Sequence, residues 1–237
     1  MVMRIRMTPR HGRGWLVLVG IVVGVTGTTP KAALPDPPVV DSTQFPILNL
    51  RLTASNELPG GSRRALVTET ESIWREGHLR LRWLAGSASP DSGLTLRVLV
   101  TPRAATSTTD GHRWTVGELL RFEGSKAIAV ASIIGAQRIV EESRQFRLLD
   151  LPAVHHYRLG IVLGRAVAHE IGHYVLHTNT HAPSGLMRAN IDAREFADLR
   201  TGTFRLDRAA QEHLAAQAAR VLDSADTPES AFSYPAH

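Results

Sequence analysis

The sequence contains no cysteine, and this absence excludes several kinds of site at once. A disulfide framework, a zinc site built on thiolates, a cysteine nucleophile and a lipid anchor on cysteine all require that residue. Aromatic residues are also scarce, at 5% of 237 residues, so the aromatic-studded surface typical of many nucleic-acid binders is not expected. The rest of the composition is ordinary for a globular protein, with 43% hydrophobic and 21% charged residues.

Net positive charge is nearly absent from most of the chain, although the total is +5. Four positive charges lie in the first fourteen residues, which contain no acidic residue: Arg4, Arg6, Arg10 and Arg13. The remainder therefore carries 5 − 4 = +1. Since binding to nucleic acid depends on a concentrated basic surface, no nucleic-acid partner is predicted.

A hydrophobic run long enough to span a membrane is absent near the amino terminus. The run from Trp15 to Val25 has eleven residues, whereas a spanning helix needs about 20. Arginines precede it and small, turn-forming residues follow it, which is typical of a secretory signal peptide. We therefore expect a secreted or periplasmic protein with no stable membrane partner after cleavage, and an uncleaved anchor is the alternative.

Composition divides the chain into four parts. Residues 1–28 are the predicted signal peptide, and residues 29–46 contain five prolines and are predicted to be a Pro-rich linker. Residues 47–226 carry the patterns of one folded domain, long enough to bury its own core. Residues 227–237 are predicted to be a flexible tail.

Hydrophobic periodicity within the domain predicts a sheet with helices packed on it. Leucines alternate with polar residues over 48–52, and similar alternation recurs over 79–83 and 94–100, as in strands with one buried face. Apolar residues at helical spacing over 63–75 separate the first two strands. The order strand, helix, strand, strand predicts an α+β fold with a twisted mixed sheet packed on helices.

The later part of the domain is predicted to be mainly helical. Residues 101–117 are polar and turn-rich and are predicted to be a loop. The apolar run 127–132 predicts an edge strand, where an extended peptide is expected to add through main-chain hydrogen bonds. Helices are predicted over 133–142, 157–176 and 206–225.

The longest of these helical stretches contains the sequence His169-Glu170-Ile171-Gly172-His173. Residues four apart lie on one face of a helix, so His169 and His173 can direct their imidazoles at one metal ion. Glu170 is then placed beside a water molecule that the metal activates, and it is the predicted general base. Glycine at position 172 lowers the stability of a helix interior by about 1 kcal/mol relative to alanine. Its presence there predicts close approach of another backbone.

The segment after this helix makes the resemblance to a family specific. His181 follows the helix, and Ser184-Gly185-Leu186-Met187 comes next. With the two helical histidines, this arrangement resembles the metzincin family of zinc peptidases over residues 47–225. The resemblance implies a zincin-like fold with a central active-site helix, a Zn²⁺ cofactor held by His169, His173 and His181, a methionine turn beneath the metal, and peptide or protein substrates.

The chain differs from the metzincin pattern in two places. Leu176 stands where the family has a glycine, and His181 lies eight residues after His173 instead of six. We therefore expect a turn about two residues longer, with Asn179 in the left-handed conformation. His177 lies about 12 Å along a continuous helix from His169 and is not expected to reach the same ion.

Two alternatives remain open from the residues alone. A gluzincin-type zinc peptidase would take Glu195, 22 residues after His173, as its third ligand. A secreted domain with a purely structural metal is the other alternative, although such a site needs no carboxylate beside a water molecule and normally closes its fourth position with protein.

The leader generates a test of export. Amino-terminal sequencing of exported protein should give a start between about residue 26 and residue 38, because cleavage follows the apolar run. Recovery of the intact terminus in soluble cytosolic protein would contradict the prediction.

Overall fold

The computed structural model describes residues 2–6, 46–86, 94–102, 113–122, 126–144, 151–199, 203–214 and 216. The predicted linker up to residue 45, the predicted tail and most of the predicted signal peptide lie outside the described residues. In the part that the structure describes, no helix is both long and apolar enough to cross a membrane.

Six strands and four helices follow one another along the chain. In order they are β1 (Val2–Arg6), β2 (Ile47–Ala54), α1 (Gly60–Glu76), β3 (Arg80–Trp83), β4 (Leu94–Thr101), β5 (Arg113–Arg121), β6 (Ala127–Ser132), α2 (Ile133–Arg144), α3 (Pro152–Val175) and α4 (Ala193–Phe196). The predicted α+β class is confirmed, as are the strand, helix, strand, strand order and the helix after β6. Of the helix predicted over 206–225, the structure describes a helical stretch over 208–214 and residue 216.

The strands form one mixed sheet in the order β1-β5-β6-β4-β2-β3. Four neighbouring strands, β6, β4, β2 and β3, run parallel to one another. The other two are antiparallel to their neighbours, β5 to β6 and β1 to β5. Parallel neighbours need a crossover, and α1 supplies it between β2 and β3.

Strand β5 was not predicted, because residues 113–117 were assigned to a loop. Glycine and two polar residues interrupt the alternation in Thr115-Val116-Gly117-Glu118, so the sequence pattern of a strand is weak there. In the structure Thr115, Val116 and Leu119 are buried and the strand pairs along both of its edges. Tertiary pairing therefore outweighs the poor local pattern.

Strand β6 is an interior strand, and the prediction that it is a free edge was wrong. It pairs with β4 on one side and with β5 on the other, and residues 128–131 are paired on both sides. An extended peptide therefore has no place to add at residues 127–132. Beyond β5 lies β1, formed by residues that also belong to the predicted signal peptide.

Helices α1 and α3 pack closely on each other in a parallel arrangement. Three side chains of α1 donate hydrogen bonds to main-chain carbonyls of α3: Ser62 to His156 (2.7 Å), Thr70 to Gly164 (3.1 Å) and Trp74 to Ala168 (3.2 Å). The sequence separation is 94 in each case, so the two helices run in the same direction. Helix α3 starts at Pro152, five residues before its predicted start, and proline at a first helical position is a common beginning.

Two glycines of α3 permit this close approach. A methyl group added at Gly160 would lie 2.5 Å from the Cβ of Ala65, and even nearer the carbonyl oxygen of Ser62. At Gly164 the added group would lie 2.8 Å from the carbonyl oxygen of Leu66. Since neither α1 backbone atom can move without moving the helix, these glycines set the distance between α1 and α3.

Replacement of Gly160 by alanine should destabilise the protein. Overpacking of a tight core contact costs typically about 1–3 kcal/mol, and urea unfolding followed by circular dichroism measures it. Gly61→Ala is the matched control, since Gly61 also lies in a helix and its nearest neighbour, His156 Cβ, is 4.0 Å away from the added methyl group. The control should leave stability unchanged or raise it by up to about 1 kcal/mol. Equal stability of the two variants would contradict the close contact.

Candidate metal centre

Two buried histidines on α3 face each other across one turn of the helix. His169 is 0% exposed and His173 is 1% exposed. Their Nε2 atoms are 3.0 Å apart. Two ligands about 2.0–2.1 Å from one ion in a tetrahedral arrangement would be separated by about 3.3 Å, so the observed spacing is close to that of a metal-binding pair.

His181 joins this pair from the segment that follows α3. The centroid of its ring lies 5.3 Å from that of His169 and 5.0 Å from that of His173. One ligand atom from each histidine lies within 4.8 Å of the others, and no other such group of three or more occurs in the described part of the chain. The structure thus brings together the three residues that the sequence analysis nominated.

The turn after α3 differs from the expected one. Helix α3 ends at Val175, and His177 adopts a positive φ of 47°, so His177 and not Asn179 is the left-handed residue. The prediction for Asn179 was wrong because the reversal begins directly after the helix cap at Leu176, where the left-handed position of a helix end lies. His177 consequently leaves the helix and is exposed, away from the histidine group.

Hydrogen bonds to main-chain carbonyls define the tautomers of the two helical histidines. Nδ1 of His169 lies 2.8 Å from the carbonyl oxygen of Leu186, and Nδ1 of His173 lies 2.9 Å from that of Thr178. Because a carbonyl oxygen only accepts, each Nδ1 carries the proton and donates it. In a neutral ring the Nε2 atom is then an unprotonated acceptor.

The facing Nε2 atoms are suited to bind a cation between them. Burial lowers the pKa of His169 to about 3 and that of His173 to about 4, so both rings are neutral at ordinary pH. Two lone pairs 3.0 Å apart with no proton between them repel each other. A metal ion removes that repulsion, since neutral imidazole is a common metal ligand and the bond from Nδ1 to a carbonyl is the usual support behind it.

Glu170 is a buried carboxyl group without a hydrogen-bond partner among the described residues. Its residue exposure is 0%, and neither Oε1 nor Oε2 makes a hydrogen bond. Burial raises its pKa to about 8. Strand β5 closes one side of it, since a methyl group added at Gly117 would lie 2.7 Å from Oε1. A carboxyl group so placed has no role in holding the fold and is suited to a ligand or a reacting group.

Met187 packs against α3 at Gly172. A methyl group added at Gly172 would lie 3.0 Å from the Cε of Met187 and closer still to its sulfur. The close neighbour predicted for this glycine is therefore a side chain and not a backbone. Met187 is buried, and its turn also carries the carbonyl of Leu186 that orients His169.

Glu195, the alternative third ligand, is engaged elsewhere. It forms a two-point ion pair with Arg188, in which Nη1 donates to Oε2 at 3.2 Å and Nη2 donates to Oε1. It is not a member of the histidine group. The short helix α4 that carries it begins at an Asp192 cap and lies after the methionine turn.

Two residues of β5 contribute to the site without any signal in the sequence. Arg121 donates a hydrogen bond of 2.6 Å from Nη2 to the main-chain carbonyl of His173, and Gly117 leaves room for Glu170. Both contributions depend on β5 lying beside α3. Because β5 itself was not predicted, neither residue could be nominated from the sequence.

Comparison with known proteins finds similarity to a solved structure but none in sequence. No protein-family model matches the chain, and no curated protein is similar to it in sequence. The crystal structure of archaemetzincin from Methanopyrus kandleri is similar with a TM-score of 0.41 and 16% identity, over 77% of this chain and 99% of that chain. At this degree of likeness the comparison assigns no role to any residue of the chain.

The position of His181 generates a test by zinc titration. His181→Ala should lower zinc affinity by more than about 100-fold, because loss of a ligand exceeds the 10–100-fold effect of residues behind the ligands. His177→Ala and Glu195→Ala should change it little, since one side chain is exposed and the other is paired with Arg188. Full zinc binding by the His181 variant together with loss in the Glu195 variant would make the protein gluzincin-type.

Proposed function

We propose that the chain is a secreted, metzincin-like zinc endopeptidase in which His169, His173 and His181 hold the metal and Glu170 is the general base. The observation that carries this proposal is the fully buried carboxyl group of Glu170, which has no hydrogen-bond partner among the described residues and directly follows His169 of the three-histidine group on α3. Burial of a carboxyl group without a partner lowers the stability of the fold. A role in hydrolysis explains why such a group is buried at this place.

Three neutral imidazoles favour zinc among the common protein metals. Imidazole suits a borderline cation better than calcium or magnesium, which prefer oxygen ligands. Three protein ligands with a fourth position left open is the arrangement of a catalytic zinc site. Bound there, zinc would supply Lewis acidity, polarising a peptide carbonyl and lowering the pKa of a water molecule to about 7.

Glu170 is suited to transfer a proton during the reaction at this metal centre. It follows His169 on α3, so its position relative to the ligands is set by the helix. Burial raises the pKa of its carboxyl group toward the range where a group both accepts and releases a proton near neutral pH. It would accept a proton from the attacking water and deliver it to the leaving amine.

The non-catalytic alternative explains fewer of these features. A structural zinc site is normally closed by a fourth protein ligand, and the group in the described residues contains three. It also gives no reason for a buried carboxyl group without a partner. The proposal that the protein is secreted is based on the arginine-rich head and the apolar run of the leader. The proposal that its substrates are peptides is based on the hydrolytic character of the site.

Replacement of Glu170 by glutamine separates metal binding from catalysis. The variant should keep about one zinc per chain and lose about 10²–10⁴-fold in hydrolysis of peptides, the usual contribution of a general base. Metal analysis and a peptide-library digest measure the two properties on the same sample. Glu195→Gln is the matched control, since it makes the same chemical change in a residue outside the site and should retain activity.

Hydrolysis at the parental rate by the Glu170 variant would contradict the assigned role. Loss of zinc together with activity would also contradict it, because Glu170 would then be holding the metal and not transferring a proton.

A further inference from the structure

We propose that Arg121 is a specificity-determining residue whose guanidinium binds a carboxylate of the substrate beside the candidate metal centre. That carboxylate belongs either to an acidic side chain or to the carboxyl end of a peptide. This assignment rests on the proposed peptidase function for the identity of the substrate, but its geometry does not depend on that function. It predicts that acidic peptides bind more tightly than neutral peptides of the same size.

Strand β5 directs Arg121 toward α3. Side chains alternate between the two faces of a strand, so Arg121 lies on the same face as Gly117, four residues earlier. Gly117 lies against Glu170. Arg121 reaches the last turn of α3, where its Nη2 donates to the main-chain carbonyl of His173 at 2.6 Å. One face of β5 therefore contacts α3 both at the proposed general base and at a proposed metal ligand.

Capping of α3 explains one of the donors of this guanidinium. The last carbonyls of a helix have no partner within it, and the bond from Arg121 satisfies that of His173. A guanidinium carries further N–H donors, which are arranged in a planar fork. Among the described residues, Arg121 makes no other hydrogen bond and no ion pair. Since its side chain is exposed, a ligand can reach those donors.

Negative charge that would neutralise Arg121 is scarce around the metal centre. Residues 171–191, which include two of the three clustered histidines, contain no acidic residue. Glu118 is the one acidic residue of β5, and it lies on the opposite face of that strand. Glu170 is buried and has no hydrogen-bond partner among the described residues. An anionic ligand therefore meets a positive charge at this end of the site.

A carboxylate is the group of a peptide that fits this guanidinium. Arginine pairs with carboxylates in a planar, charge-assisted arrangement, which gives geometric specificity as well as affinity. Carboxylates are also the anionic groups that unmodified peptides carry at neutral pH. Arg121 is bonded to the main chain of a proposed metal ligand. A peptide whose carbonyl reaches the metal would therefore bring its carboxylate from only a few residues away, at about 3.3 Å per extended residue.

Peptide binding tests this assignment without relying on hydrolysis. The zinc-loaded Glu170→Gln protein is the background, because it should bind peptides without cleaving them, and fluorescence anisotropy of labelled alanine-rich peptides gives their affinity. Each peptide is acetylated and amidated and carries one glutamate or one glutamine, which is moved along the peptide in turn. At one position or more, glutamate should bind at least about fivefold more tightly than glutamine. An ion pair open to water contributes up to about fivefold, and a planar pair covered by the bound peptide contributes more.

A second pair of peptides distinguishes the two sources of the carboxylate. These peptides contain no acidic side chain, and they end either in a free carboxylate or in an amide. A preference for glutamate in the blocked peptides assigns Arg121 to an acidic side chain. A preference for the free end alone assigns it to the carboxyl terminus of the substrate.

Removal of the positive charge at Arg121 should abolish the preference that the background protein shows. Arg121→Gln keeps a donor for the His173 carbonyl, and its preference should fall below about twofold. Arg121→Lys keeps the charge, so its preference should keep the same direction. Arg80→Gln is the matched control, since Arg80 is an exposed arginine of β3 at the far edge of the sheet, and it should keep the full preference. Zinc content and circular dichroism show that each variant is folded.

Equal preference in the background protein and in the Arg121→Gln variant would overturn the assignment. Equal loss in the Gln and Lys variants would also overturn it, because the role of Arg121 would then be to hold the His173 carbonyl and not to bind a carboxylate. If the variants do not fold, a background protein that binds acidic and neutral peptides equally still overturns it.

The same peptides separate this assignment from the proposed function. If binding responds as expected while the chain with Glu170 intact hydrolyses none of the peptides, the carboxylate site stands and the peptidase function fails. If that chain hydrolyses acidic and neutral peptides equally well, the peptidase function stands and the assignment of Arg121 fails.

Discussion

The guanidinium of Arg165 connects α3, which carries two of the three clustered histidines, to three other segments of the fold. It is 0% exposed, and its Nε donates to Oε1 of Glu69 at 2.7 Å. Its Nη1 donates to the main-chain carbonyl of Phe196 at 2.8 Å, and its Cζ lies 4.2 Å from the centroid of the Phe204 ring. Burial lowers the pKa of the guanidinium below its ordinary value, and the carboxylate of Glu69 partly offsets this. One side chain therefore joins α3 to α1, to α4 and to the segment after α4.

This connection matters because Arg165 lies one turn before His169 on α3. A buried ion pair contributes little net stability, but loss of one partner leaves a buried charge and costs about 3–5 kcal/mol. The pair therefore favours the packing of α3 on α1 that keeps both charges together. The chain that returns to α3 carries His181, the Leu186 carbonyl that orients His169 and the Met187 side chain against Gly172.

The site and the sheet edge are coupled through β5. Gly117 contacts Glu170, and Arg121 holds the carbonyl of His173 from the end of the same strand. The opposite edge of β5 pairs with β1. Strand β5 therefore contacts both Glu170 and the main chain of α3 at His173.

The spacing of residues along the sequence was sufficient to predict the histidine pair of α3 and several of the strands and helices. Helix geometry places residues four apart on one face, so His169 and His173 could be paired, and Glu170 singled out, without tertiary information. Strands β2, β3 and β4 and helix α1 followed from periodicity, because apolar residues recur along each of them at the spacing of a strand or of a helix. The resemblance to metzincins nominated His181, which the structure brings to the pair.

Only the tertiary structure decided the rest, because it depends on contacts between segments distant in sequence. Strand β5 is held by pairing on both edges despite a weak local pattern, and its presence converts β6 from a predicted edge into an interior strand. The left-handed residue is His177 because the turn must return the chain to α3 directly after the helix cap. Glu195 is withdrawn from the metal centre by Arg188, seven residues away in sequence. Periodicity describes which face of an element is buried, and it carries no information on which element covers that face.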